Sequence, residues 1–209
     1  MPTVKKKTKA KTKAKTKSTA VSRAKAKKTS ARRVAPAILT LEVQAGIKRI
    51  GVPSNKRLQL WAQAAYLVHH AAHSMNVRGT RKRVVPPVQV SLKLVGAAES
   101  RKLNREWRDE DHATNVLSFP AGEGFELDEL PTLGDLAVCV PVVAREAKQQ
   151  DITVAAHWAH MMIHGVLHLL GYDHEIERDA LVMEACEIAI LEQFGFANPY
   201  QLTDVKGTR

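Results

Sequence analysis

The sequence predicts an α+β domain: a small four-stranded mixed sheet packed with about five helices around one central histidine-bearing helix. Three features carry that prediction. Residues 88–95 alternate cleanly, with Val88, Val90, Leu92 and Leu94 on one face and Gln89, Ser91 and Lys93 on the other. That is the period of a half-buried strand. Val154 to Leu170 holds no Pro and one Gly and is apolar around much of its circumference, which suits a helix packed on several sides. Strand-like and helix-like stretches succeed one another in the order β-α-β-α-β-β-α-α-α, with no internal repeat.

Residues 38–43 form a first strand. Gly51 and Pro53 mark a loop, and Ser54 is the N-cap of a helix to about His73, with Leu58, Trp61, Ala65 and Val68 as its apolar side. His69, His70 and His73 fall at its end, where cations favour the helix dipole. Arg78, Arg81, Lys82 and Arg83 make a basic loop before Pro86, either a solvated turn or a phosphate contact. After the strand at 88–95, Ala97 to Ser100 open a helix to about Trp107 with Leu103 facing in; Arg101, Lys102, Arg105 and Arg108 read as its solvated face. Thr114 to Pro120 is a short strand ended by proline. The acidic, Gly-bearing residues 121–132 form the loop expected to move. Leu133 to Val140 is an apolar strand, and Pro141 suits the first turn of a helix to about Gln150. The histidine helix comes next. A last helix from about Glu177 to Phe194 carries Leu181, Met183, Ile188 and Leu191 and stops at Gly195.

Charge divides the chain. Residues 1–33 hold 14 of the 32 Lys and Arg and no acid, leaving 18 basic and 21 acidic residues in 34–209. The net charge of +11 is therefore a property of the tail. A segment with so little apolar surface does not offset the entropy of ordering, so 1–33 is expected to be a disordered basic tail, 34–200 the folded domain and 201–209 a polar C-terminal tail. The basic tail is expected to contact nucleic acid through phosphates, without reading sequence; the alternative is a solvated tail that aids solubility. Cys139 and Cys186 stand outside any Cys-x-x-Cys pair, as free thiols in a reducing compartment do. No apolar run approaches the ~18 residues of a membrane span, and no apolar stretch succeeds the basic start as in a secretory signal. The expectation is a cytoplasmic protein without membrane contact.

The chemistry concentrates in His164-Gly165-Val166-Leu167-His168-Leu169-Leu170-Gly171-Tyr172-Asp173-His174. His164 and His168 share a helix face at i and i+4. Gly171 ends the helix through the left-handed conformation, which lets the chain return His174 to the same point. Any one histidine has an ordinary explanation in packing or solvation. Three at this spacing, ending in Asp-His, describe three neutral nitrogen ligands with a fourth position open, as in a catalytic zinc site. Zinc suits the donors, although imidazole also suits nickel, copper and iron. The spacing is shared with metzincin proteases, whose general base is the Glu after the first histidine. Here that residue is Gly165, which accepts no proton.

The same eleven residues resemble the signature of the YbeY endoribonucleases, bacterial ribosomal-RNA maturation factors. Ala98-Glu99-Ser100, Leu103-Asn104, Thr114 to Pro120, Leu133-Gly134-Asp135, His157-Trp158-Ala159-His160 and Asn198-Pro199-Tyr200 are similar to that family too. The likeness covers about 88–200, more loosely 38–87, and omits the Lys-rich tail. It implies a zinc-dependent, single-strand-specific endoribonuclease acting in 3′-end maturation of 16S ribosomal RNA and in ribosome quality control. Ribosomal RNA and the small ribosomal subunit would be its partners. It also implies one Zn2+ per chain on His164, His168 and His174, with His164 counted among the catalytic residues. The family keeps a basic residue, usually Arg, in the strand before Ala98, and the alignment sets Lys93 there. Lys gives a point charge where Arg gives a fork.

The expected chemistry is metal-assisted phosphodiester hydrolysis, with Lys93 neutralising the phosphate. The base would be Asp135, Asp173 or the metal's own water, unless the ribose 2′-OH attacks. Asp173 could equally hold a ligand imidazole in its tautomer. Two other readings stand beside this one. A zinc peptidase is opposed by Gly165. A non-enzymatic ribosome assembly factor with structural zinc would need a fourth protein ligand, such as His160 or Asp173.

Overall fold

The computed structural model describes residues 38–74, 84–122 and 130–201. The basic tail, the basic loop at 78–83, residues 123–129 of the acidic loop and residues 202–209 lie outside the described residues, as does the side chain of His73. Among the described residues nine elements appear in the predicted order: β1 (Leu39–Ala45), α1 (Asn55–Ser74), β2 (Val88–Val95), α2 (Ala97–Arg108), β3 (Val116–Pro120), β4 (Thr132–Cys139), α3 (Val140–Gln149), α4 (Val154–Leu169) and α5 (Glu177–Gln193). The sheet order is β1-β2-β4-β3. β1, β2 and β4 run parallel, and β3 pairs antiparallel with β4 as an edge strand. The α+β class and the mixed four-stranded sheet are those expected.

Strand alternation sorts the side chains onto two faces. Leu39, Leu41, Val90, Leu92, Leu94, Leu136 and Val138 join the main core with Trp61, Tyr66 and the buried side of α4. On the other face Val95, Leu117, Ala137 and Cys139 form a smaller cluster with Leu103 and Phe119. The rest of that face is polar and carries Gln44, Ser91, Lys93 and Asp135. α4 buries ten of its residues, which explains why its sequence looks apolar nearly all round. Thr153 caps it, the Oγ1 accepting from the Ala156 amide at 3.1 Å. Ser54 starts α1 in the expected way, its Oγ accepting from the Arg57 amide at 3.4 Å.

Two local devices set the path of the chain around β3. Ser100 and Asn104 are the buried residues of α2. The Ser100 hydroxyl donates to the Thr114 carbonyl and accepts from the Thr114 amide, and Asn104 donates to the His112 carbonyl. These polar ties hold the 109–115 loop against α2, so Thr114 and Asn115 precede β3 rather than belonging to it. Gly134 is the second device. Its φ is +134°, and a Cβ there would sit 2.2 Å from the Phe119 carbonyl oxygen and 2.9 Å from the Ala121 amide nitrogen. Both neighbours are backbone and neither has room to yield. Gly134→Ala is therefore expected to lower stability by about 3 kcal/mol, measured as a shift in the urea midpoint.

Candidate metal centre

The last turn of α4 brings the three histidines of the motif together. Leu170 ends the helix and Gly171 takes φ +86°. The Gly171 amide donates to the His168 carbonyl and the Tyr172 amide to the Leu167 carbonyl, both near 3.0 Å. This is the paired closure of a Schellman motif. It reverses the chain and swings His174 back over the helix end, where the Asp173 Oδ1 accepts from the His174 amide at 2.7 Å. One ring nitrogen from each of His164, His168 and His174 then lies within 4.8 Å of the other two.

The hydrogen bonds fix what those nitrogens present. His168 Nδ1 is 2.9 Å from the Tyr172 carbonyl oxygen, which only accepts, so Nδ1 carries the hydrogen. His164 Nδ1 is 2.8 Å from Glu187 Oε1, a carboxylate oxygen, so it too donates. Each neutral ring is left with its lone pair on Nε2, and the two Nε2 atoms face each other at 3.1 Å. Facing lone pairs repel unless a cation lies between them. A proton on His168 is a poor candidate, because burial, with the neighbouring His164 and His174, pushes its imidazolium down to a pKa of about 4. A tetrahedral ion bonded at about 2.0–2.1 Å would hold two ligand nitrogens roughly 3.3 Å apart. The donor set fits zinc.

Glu187 stands behind this cluster. It is fully buried on α5 and accepts from His164 Nδ1, from His160 Nε2 at 3.0 Å and from the Tyr200 hydroxyl. Burial alone would raise its pKa; the bonds from His160 and His164 outweigh that and hold it near 2. Burial and the adjacent carboxylate push the Tyr200 phenol well up, so it stays a donor. His160, His164 and Glu187 also lie close enough to hold an ion. Those groups already satisfy one another by hydrogen bonds, so they act as the outer support of the first cluster. The motifs in the sequence do not single out Glu187, yet a signal exists. It interrupts the apolar stripe Met183, Ile190 and Leu191 at helical spacing, where a lone carboxylate must find buried partners.

The other expected site residues divide sharply. Asp173 lines the cleft beside the three histidines. Lys93 does not. It alternates with Leu92 and Leu94, which face the α4 core, so it points to the opposite side of the sheet and pairs with Glu99 at 2.7 Å. Asp135 lies on that same opposite side. The cation of the histidine cleft is Arg108, which the sequence pattern places on a solvated face. Its Nη1 donates to the Trp107 carbonyl and its Nη2 to the Ser118 carbonyl, at 3.0 and 3.1 Å. Two of five guanidinium N–H groups are thus engaged, and the one on Ser118 holds it at the β3 edge. At Gly165 a Cβ would meet Leu136 Cδ2 at 2.9 Å and Val116 Cγ2 at 3.3 Å. The place where a metzincin carries its glutamate is filled here by the sheet.

A family model described as Endoribonuclease YbeY matches residues 54–195. The chain belongs to the YbeY endoribonuclease family. A YbeY protein named Endoribonuclease YbeY from Alkalilimnicola ehrlichii is 44% identical over 178 residues, covering 84% of this chain and 99% of that one. A relative of the same name from Pseudomonas syringae pv. syringae is 43% identical over 163 residues, covering 78% and 89%. One from Stutzerimonas stutzeri is 54% identical over 112 residues, covering 54% and 70%. The YbeY match contains Arg108, the histidine cluster and Glu187, whereas Tyr200 lies beyond it. No described helix is long and apolar enough to cross a membrane.

Proposed function

We propose that this chain is a zinc-dependent endoribonuclease that cleaves single-stranded RNA in a cleft built on His164, His168 and His174. The observation that carries this reading is the convergence of ring nitrogens from His164, His168 and His174, two of them 3.1 Å apart, inside a YbeY-family domain. When bound, the ion supplies Lewis acidity toward a phosphoryl oxygen and eases deprotonation of water. The protein supplies the rest. Glu187 and the Tyr172 carbonyl fix the tautomers of His164 and His168. Arg108, anchored by two carbonyls, offers its remaining N–H groups to the phosphate as negative charge builds. Asp173 fixes the turn that presents His174. By family likeness, the substrate is the 3′ end of small-subunit ribosomal RNA, met on the small ribosomal subunit in the cytoplasm during maturation and quality control, with the basic tail adding sequence-independent affinity.

The filled space around Gly165 weighs against a peptidase. The engagement of His160 with Glu187 weighs against a closed structural zinc site. The test is cleavage of a single-stranded RNA and its duplex by zinc-analysed wild type and Arg108→Ala. Wild type should cut the single strand only, with about one zinc per chain. Arg108→Ala should keep the zinc and cut on the order of a hundredfold more slowly. Equal rates for the two proteins would sink the reading as a contaminating nuclease, and chelator-sensitive peptide cleavage would move it to the peptidase class.

A further inference from the structure

The second face of the sheet carries a cavity of about 720 Å³, of which the proposed chemistry uses Arg108 at the rim. Ser91, Lys93 and Asp135 form its polar floor, and Trp107 and Phe119 stand beside it. Trp107 closes α2 with 58% of its surface exposed, an unusual cost for the largest apolar side chain. Its ring lies 5.7 Å from that of Phe119, with the planes 74° apart, so one indole face is not covered by its neighbour. Phe119 is placed opposite Asp135 by the β3–β4 register. The Arg108 guanidinium lies 6.0 Å from the Phe119 ring centroid.

This cavity joins the histidine cleft. Arg108, Ser118 and Pro120 line both. Ser118 and Phe119 are successive residues of β3, so their side chains leave opposite faces: the Ser118 hydroxyl donates to the Gly165 carbonyl of α4, while Phe119 packs toward α2. β3 is an edge strand. The two hollows therefore flank one sheet edge, with a cation seated on the edge itself.

We propose that Trp107 and Phe119 form a nucleobase subsite, in which an unpaired base next to the phosphate at the histidine cleft stacks on the Trp107 indole. This rests on the reading of the chain as a single-strand ribonuclease. A flexible strand crosses the β3 edge with its phosphate against Arg108 and drops the adjoining base onto the aromatic shelf. Every base has a π face, so stacking serves without a fixed sequence. The floor matches the polar rim of a base better than an apolar peptide or a lipid. Asp135 accepts from base amino or imino groups, and Lys93, steadied by Glu99, donates to carbonyls. A duplex keeps its bases stacked on each other and has none to give, so the subsite itself selects single strands.

The test uses zinc-loaded full-length protein and a labelled single-stranded 2′-O-methyl oligoribonucleotide, whose length is checked on a gel after each binding measurement. Trp107→Ala and Trp107→Leu are compared with wild type; the leucine keeps an apolar contact to Phe119 and guards against a folding artefact. Both variants should bind about tenfold more weakly. An abasic residue at the stacked position should weaken wild type by a similar factor and leave Trp107→Ala unaffected. Trp61 and Trp158 are buried, so indole fluorescence should respond to the oligonucleotide in wild type and not in Trp107→Ala. Variant affinities within about twofold of wild type, or an abasic effect that persists in Trp107→Ala, would overturn the subsite. So would a wild type that does not bind. Binding that depends on Trp107 without cleavage of ordinary RNA would keep the subsite and sink the nuclease reading; cleavage with no dependence on Trp107 would do the reverse.

Discussion

His168→Ala is expected to abolish zinc binding and RNA cleavage while leaving the metal-free fold almost as stable as before. In the metal-free protein the His168 side chain donates from Nδ1 to the Tyr172 carbonyl. Losing it costs about 1 kcal/mol. Part of that is returned, because the repulsion of its Nε2 lone pair against His164 Nε2 at 3.1 Å also disappears. The metal-loaded state behaves differently. Removing a partner one shell out from a metal costs about 10–100-fold in affinity or activity, so removing the ligand itself should cost more than about 100-fold. A ligand that binds only the native state raises stability in proportion to RT ln(1 + [L]/Kd). Zinc should therefore raise the melting temperature of wild type and leave that of His168→Ala unmoved, while the two agree in a chelator. His164→Ala is a less clean probe, since it also strips a donor from buried Glu187. A zinc-dependent rise of the same size in His168→Ala would place the ion somewhere other than this cluster.

Much of this site is legible in the sequence because helical spacing converts directly into geometry. His164 and His168 at i and i+4, a glycine able to take φ +86°, and a histidine three residues later can hardly avoid converging. The strands are legible for the same reason: the alternation of residues 88–95 shows which side chains are buried together. What sequence pattern does not supply is which face of a sheet a site occupies. Lys93 sits on the correct strand type with a suitable charge, but the parity that buries Leu92 and Leu94 under α4 turns Lys93 away from it. Arg108 looks solvated because its role depends on the turn after α2, where Asp109 takes φ +58° and the chain doubles back to β3. Glu187 escapes notice for another reason. Its partners come from α4 and from Tyr200, and contacts so distant in sequence leave no local pattern.

Glu187→Gln should show how much of the site is held together by that one carboxylate. Three donors converge on it: His160 Nε2, His164 Nδ1 and the Tyr200 hydroxyl. Glutamine keeps one acceptor oxygen and puts an amide N–H pair where the other oxygen was, so at least one donor meets a donor in a dry site. The pH dependence isolates the charge. The folded carboxyl is held near 2 against a usual 4.5, a depressed value, so its contribution is fully present above about pH 4.5 and lost as pH falls through about 2. The size is roughly 3 kcal/mol at neutral pH. In a chelator, Glu187→Gln should unfold more easily than wild type at pH 7, and the gap should narrow steadily below about pH 4.5. A gap that stays constant down to about pH 2.5 would mean that shape, not charge, ties α5 to α4. With zinc present, the same substitution should weaken metal binding about 10–100-fold by releasing the His164 tautomer. The carboxylate therefore does two jobs through one hydrogen bond. Of the two histidine contacts that dock α5 on the histidine helix, that of His164 would also aim its Nε2 at a bound metal, so stability and metal affinity should fall together.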